Sequence, residues 1–144
     1  MKQILLISSE SRDTILRAWG LLVLRVGIGS FMLFGHGWAK LSNFADYATK
    51  FADPYGFGAT ASLVLAIFAE FFCSIAIVFG FLTRLATIPL IITMATAAFI
   101  IHGADPFGRQ ELALMYLVVF LTLLVTGAGR FSLDSLLSRQ SDES

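Results

Sequence analysis

The sequence predicts an all-α, polytopic membrane protein: a bundle of four transmembrane helices with a short interfacial helix between helices 1 and 2. Three observations predict it. The 144 residues are 57% hydrophobic and only 14% charged, with a mean hydropathy of +0.81. A water-soluble domain of this size needs far more polar surface. Four apolar runs also approach the ~20 residues that a helix needs to cross a bilayer core. Finally, the runs are long and continuous, whereas a membrane barrel would show short alternating segments, and lipid admits only helices or closed barrels.

Residues 1–17 mix Lys2, Glu10, Arg12, Asp13 and Arg17 with a short Ile4–Ile7 apolar patch. The patch is too short for the core of a signal peptide. The stretch is expected to be a cytoplasmic, amphipathic lead into a transmembrane body over 18–137. The four runs fall at about 18–38, 60–82, 84–102 and 111–128. The tight link Gly80-Phe-Leu-Thr-Arg84 makes spans two and three an antiparallel hairpin. Thr83 is placed to cap span three, and Pro89 lies early enough in it to be accommodated. Residues 138–144 read as a short polar tail. Trp19 and Trp38 stand near opposite ends of span one, where indoles anchor at bilayer interfaces.

Between spans one and two, Phe44, Tyr47, Ala48 and Phe51 repeat at helical spacing opposite Asn43, Asp46 and Lys50. This is the pattern of a short helix lying on the membrane. Asp53-Pro54-Tyr55-Gly56 ends it, and Asp105-Pro106 with Gly108 breaks the second connection on that side. Lys2, Arg12, Arg17, Arg84, Arg130 and Arg139 lie on one side, against Lys40, Lys50 and Arg109 on the other. This bias places both termini in the cytoplasm. The two hairpins echo each other faintly, with His36-Gly37 and His102-Gly103 at their outer turns and a glycine before Arg84 and Arg130.

Charges inside the runs are the informative residues, because one at bilayer depth costs roughly 2.5–3.5 kcal/mol and must be paired or reach water. Arg25 and Glu70 are the deepest and are expected to form an intramembrane ion pair between spans one and two; the other reading makes Glu70 a proton carrier or part of a polar ligand pocket. His36, Lys40, His102, Asp105 and Glu111 converge near the outer face and form the candidate ligand-binding cluster. Four readings are open for them: a structural polar network, a headgroup site for a quinone, ligation of haem or a metal by the paired histidines, and a proton relay. Two histidines without a tight motif are a nonspecific ligand signal, so no metal site is assigned and haem is disfavoured. Gly27, Gly29, Gly35 and Gly37 give span one a smooth strip suited to close helix packing.

Other classes are excluded. Cys73 is the single cysteine, so there is no intrachain disulfide, Cys-x-x-Cys pair, cysteine-ligated iron–sulfur cluster or c-type haem attachment. Net charge is zero, without the basic patch that nucleic-acid binding requires. No phosphate loop, dinucleotide fingerprint or nucleophile elbow is present, so no catalytic residue is assigned and no self-contained active site is recognised.

The segments Gly35-His-Gly-Trp-Ala-Lys-Leu41, Glu70, Gly80-Phe-Leu-Thr-Arg-Leu-Ala86, His102, Glu111-Leu-Ala-Leu114 and Gly127-Ala-Gly-Arg-Phe-Ser-Leu-Asp134 together resemble the DoxX family of small four-helix membrane proteins of bacteria and archaea. The resemblance covers about 18–137 and leaves out Ser141-Asp-Glu-Ser144. It implies a four-helix bundle in the cell (inner) membrane, with Arg25, His36, Lys40, Glu70, His102 and Glu111 at the polar positions of the family's spans. The family takes its name from subunits associated with a terminal quinol oxidase and with thiosulfate:quinone oxidoreductase, and other members look like accessory proteins of redox-stress systems. The expectation is therefore a redox-associated membrane subunit that contacts quinone, with electrons from a partner enzyme and no intrinsic cofactor. The alternatives are a non-enzymatic scaffold and, less favoured, a proton-coupled carrier, since four short spans leave little room for alternating access without a homo-oligomer.

Overall fold

The computed structural model describes the backbone of residues 2–142 and the side chains of residues 12–140. Among the described residues there are helices and turns but no strand. The four spans are α1 (Arg12–Ser42), α3 (Ala59–Phe79), α4 (Thr83–Ile101) and α5 (Phe107–Thr126). Two short elements complete the chain, α2 (Phe44–Tyr47) and α6 (Leu133–Asp142). The backbone is helical from Lys2 without a break into α1, so the N-terminal lead is not a separate element. The interfacial helix is a single α-helical turn extended by turn hydrogen bonds as far as Phe51. The polar tail is helical as far as Asp142, because α6 begins at Leu133 and continues into it.

α1 packs chiefly on α3, and α4 chiefly on α5. Met32, Ile77, Leu90, Phe120 and Leu123 are fully enclosed between them. Many larger apolar side chains point the other way: Phe31, Phe34, Phe72, Phe99 and Val125 are more than half exposed. In water this would be an untenable surface; in a bilayer it is the lipid-facing belt. The phenylalanine excess is therefore mostly on the outside of the bundle.

Two of the four strip glycines set how closely α1 and α3 approach. A Cβ at Gly37 would lie 2.5 Å from the Glu70 carbonyl oxygen, and one at Gly29 would meet Val78 at 2.8 Å. Gly27 and Gly35 face open space. These contacts fix the antiparallel register: Gly37 is level with Glu70, and Gly29 with Ser74–Val78. Arg25, twelve residues before Gly37, therefore lies beside the end of α3, about 18 Å along the axis from the level of Glu70 at ~1.5 Å per residue.

That register corrects the expected Arg25–Glu70 ion pair. Arg25 is buried, but its guanidinium donates to the carbonyls of Ile77 (3.4 Å), Val78 (3.1 Å) and Phe131 (2.5 Å). It closes the carbonyl end of α3, where the helix dipole favours a cation, and ties the C-terminal segment to it. The glycine seam and the end of α3 at Phe79 set Arg25 beside the last turn of that helix, nearer the end of the bundle than the midplane position of Glu70. Gly80, at φ +69°, ends α3 in a left-handed turn with Phe81 N–H bonded to the Ala76 carbonyl. A Cβ at Gly80 would fall 2.0 Å from Arg25 Nη1. The second hairpin has a counterpart, with Arg84 of α4 donating to the Val125 carbonyl at the end of α5, beside Gly127.

The expected cap of α4 is also different. Thr83 is the first helical residue, and its hydroxyl is buried without a partner. The N-terminal amides of Leu82 and Thr83 instead donate to the Asp134 carboxylate at 2.6 and 2.9 Å. Asp134 N–H donates in turn to the Gly80 carbonyl. An acceptor from fifty residues away thus does the work usually done by the residue before the helix.

Gly37→Ala should lower stability by roughly 1–3 kcal/mol, because the neighbour at its Cβ is backbone and cannot move aside. Gly35→Ala should be neutral. Unfolding midpoints of the two variants in detergent test the seam.

Candidate functional site

Three spans depart from α-helical winding in the same half of the bundle. Leu33–Gly37 in α1, Phe68–Cys73 in α3 and Thr96–Ile101 in α4 are π-helical turns. Such turns insert a residue and rephase the side chains beyond it, and they concentrate at functional sites. Here they carry His36 and Glu70 and lead directly to His102.

These segments surround a cavity of about 430 Å³ in the half of the bundle away from the termini. One wall is Leu65, Ala66 and Glu70 of α3, facing Ile92, Thr93 and Ala97 of α4. α1 contributes His36 and Lys40, and α5 contributes Tyr116, Leu112 and Arg109. Phe51, Tyr55 and Phe57 of the first connection cover it. Tyr55 fastens that cover through a 2.7 Å hydrogen bond to the Thr96 hydroxyl. Asp53 shapes the connection by accepting from the Ser62 hydroxyl and the Phe57 and Gly58 amides, which hold its carboxyl below the usual range.

The chemistry sits at two depths. At the inner end, Lys40 Nζ is 2.5 Å from Glu70 Oε2, and Glu70 is only 4% exposed. The His36 ring meets Tyr116 edge-on at 5.6 Å, and Tyr116 stacks on Phe120. Nearer the surface, His102 Nδ1 is 2.8 Å from Asp105 Oδ2, with Arg109 3.7 Å from the same oxygen. The His102 hydrogen bond is the main reason the Asp105 carboxyl lies below its ordinary range.

The expected cluster thus divides. His36, Lys40 and His102 line the cavity, Asp105 reaches it through His102, and Glu111 is exposed and not part of the lining. Glu70 joins as the partner of Lys40. Tyr116 and Arg109 were not singled out from the sequence. Tyr116, the one tyrosine inside a span, was the available signal. An apolar chamber with a cation, a carboxylate, an imidazole and a phenol at one end can hydrogen-bond both donor and acceptor groups of a flat, lipophilic molecule. Among the described residues, no three His, Cys, Asp or Glu side chains converge as metal ligands.

The sequence pattern of the DoxX family matches residues 20–103, which carry α1, α3 and α4 and the cavity residues His36, Lys40, Glu70 and His102. The chain belongs to the DoxX family. It is 32% identical over 128 residues to the inner membrane protein YqjF of Escherichia coli, covering 84% of this chain and 94% of that protein. An uncharacterized protein of Haemophilus influenzae is 32% identical over 126 residues, with 83% and 91% covered. No solved structure matches. This DoxX chain is therefore a multi-pass membrane protein of four helices, as the resemblance implied. Arg109 and Tyr116 lie beyond the matched DoxX segment.

Two outcomes follow from this geometry. In double-mutant cycles, Lys40→Met and Glu70→Gln should couple by roughly 0.5–3 kcal/mol, whereas Arg25→Gln and Glu70→Gln should add independently. Unfolding in detergent reads both. Because the folded Asp105 carboxyl titrates low, its contribution is complete above the ordinary carboxylate pKa and lost as pH falls through its depressed value. Carboxyl NMR of Asp105 should show that depression in the native chain and its disappearance in His102→Ala.

Proposed function

We propose that this protein is an inner-membrane accessory subunit that binds a quinone or quinol headgroup, with electrons supplied by a partner redox enzyme. The observation that carries the reading is the partly buried Lys40–Glu70 pair at the end of an otherwise apolar cavity, next to His36 and Tyr116. A ring bearing polar oxygens needs that combination of apolar walls and a few convergent donors and acceptors. A quinone when bound would supply two-electron, two-proton carrier chemistry. The Lys40 ammonium would donate to a ring oxygen, the Glu70 carboxylate would accept from a hydroxyl, and His36 could do either according to its tautomer. Phe51 and Phe57 would keep water from the ring face.

The inner-membrane assignment is supported by likeness to YqjF, whose name carries that location. The excess of Arg and Lys beside the termini supports a cytoplasmic location for both. In that orientation the cavity lies in the outer half of the bilayer. The partner enzyme is inferred from the sequence, whose single cysteine and unclustered histidines offer no built-in electron-transfer ligand set.

Titrating the purified protein with a short-chain quinone, followed by tryptophan fluorescence, should give saturable binding. His36→Ala or Glu70→Gln should weaken it roughly tenfold, the loss of one hydrogen bond to a buried charged or polar group. Glu111→Gln should leave it unchanged. Absence of saturable binding, with a stable partner recovered in mild detergent, would replace this reading with a non-enzymatic scaffold.

A further inference from the structure

At the opposite end of the bundle, α6 does not trail away from the spans. Asp134 anchors its first turn to the α3–α4 turn, and the Phe131 carbonyl is held by Arg25. So fixed, α6 presents Leu133, Leu136 and Leu137 outward at 42%, 61% and 51% exposure. Between it and the ends of α1 and α3 runs a groove of about 700 Å³. Its apolar side is Ile15, Phe79, Leu133 and Leu136, and the arginines Arg130 and Arg139 flank it.

Neither arginine makes an ion pair among the described residues. Asp134, four residues from Arg130, is occupied by two backbone amides. Phe79 is exposed at the end of a membrane span, so the apolar side of the groove continues the lipid-facing belt. An apolar channel open to lipid and flanked by two guanidiniums that have no ion pair among the described residues is complementary to one amphiphile, an anionic phospholipid. Its phosphate would sit between the arginines, which suit phosphate oxygens by their forked donors, with acyl chains along the leucines.

We infer that the groove between α6 and the ends of α1 and α3 is a binding site for an anionic glycerophospholipid. It is independent of the cavity at the other end of the bundle. The placement also gives α6 a role: an amphipathic helix at the membrane surface, held at fixed height by Asp134, forms one wall of a headgroup site.

The test is native mass spectrometry of the full chain from mild detergent with equimolar phosphatidylglycerol and phosphatidylcholine. The wild type should retain phosphatidylglycerol with roughly 30-fold preference, the expectation for two basic groups near a membrane surface. R130S/R139S should lose the preference, and R130K/R139K should keep most of it, which separates loss of charge from misfolding. Equal retention of the two lipids by the wild type overturns the inference. So does persistence of the preference in R130S/R139S, or displacement of the lipid by inorganic phosphate, which would assign the arginines to a free anion.

Discussion

A charge or a bare helix end inside lipid has nothing to bind except another part of the chain, and this bundle is arranged around meeting that demand. At the end nearest the termini, charged side chains serve the backbone. Arg25 closes α3, Arg84 closes α5, and Asp134 opens α4. Each reaches across to an element other than its own, so one set of contacts satisfies helix termini and fixes the order of packing. The glycine at the end of α3 leaves the space that the Arg25 guanidinium occupies.

The other half of the bundle is built differently. Three π-helical turns interrupt the regular ladders where α1, α3 and α4 surround the cavity. A wound-out turn weakens backbone hydrogen bonding locally, so it is unlike the closely capped end. The consequence is a side-chain arrangement that uniform α-helices would not produce: His36 and Glu70 both lie in interrupted turns and both line the cavity. The seam at Gly37 belongs to this half as well, since its missing side chain lets α1 lie against the Glu70 backbone. Close packing and a polar chamber therefore meet in the same few residues.

Much of the architecture was legible in the sequence because it rests on hydropathy and length, which act locally. The positions of the four spans, the tight α3–α4 turn and the convergence of His36, Lys40 and His102 all follow from counting residues along helices. What failed was whatever depends on register between helices. Arg25 and Glu70 looked close enough for a guanidinium to span the offset, yet the seam at Gly37 puts them about 18 Å apart along the axis. Once Gly29 and Gly37 set the register, Glu70 belongs to Lys40. The π turns leave no recognisable residue pattern. The cap on α4 comes from Asp134, too far along the chain for a local rule to find. α6 was obscured by its serines, although Leu133, Leu136 and Leu137 carry helical spacing.

The Lys40–Glu70 pair is poorly explained as a stabilising device. Taking both charges out of water costs several kcal/mol per ion, and a hydrophobic pair of similar volume is often as stable or more so. Nor is the pair needed to select the α1–α3 register, since the glycine seam fixes that by shape and the Arg25 contacts fix it again from the other end. What an apolar replacement could not supply is a fixed donor and a fixed acceptor at the closed end of an apolar chamber, with His36 and Tyr116 beside them. The same ion pair moved to the lipid-facing side of α3 would still neutralise its charges but would serve no cavity. Its position, more than its energy, is what suits this fold to the proposed recognition of a polar group on a lipophilic ring.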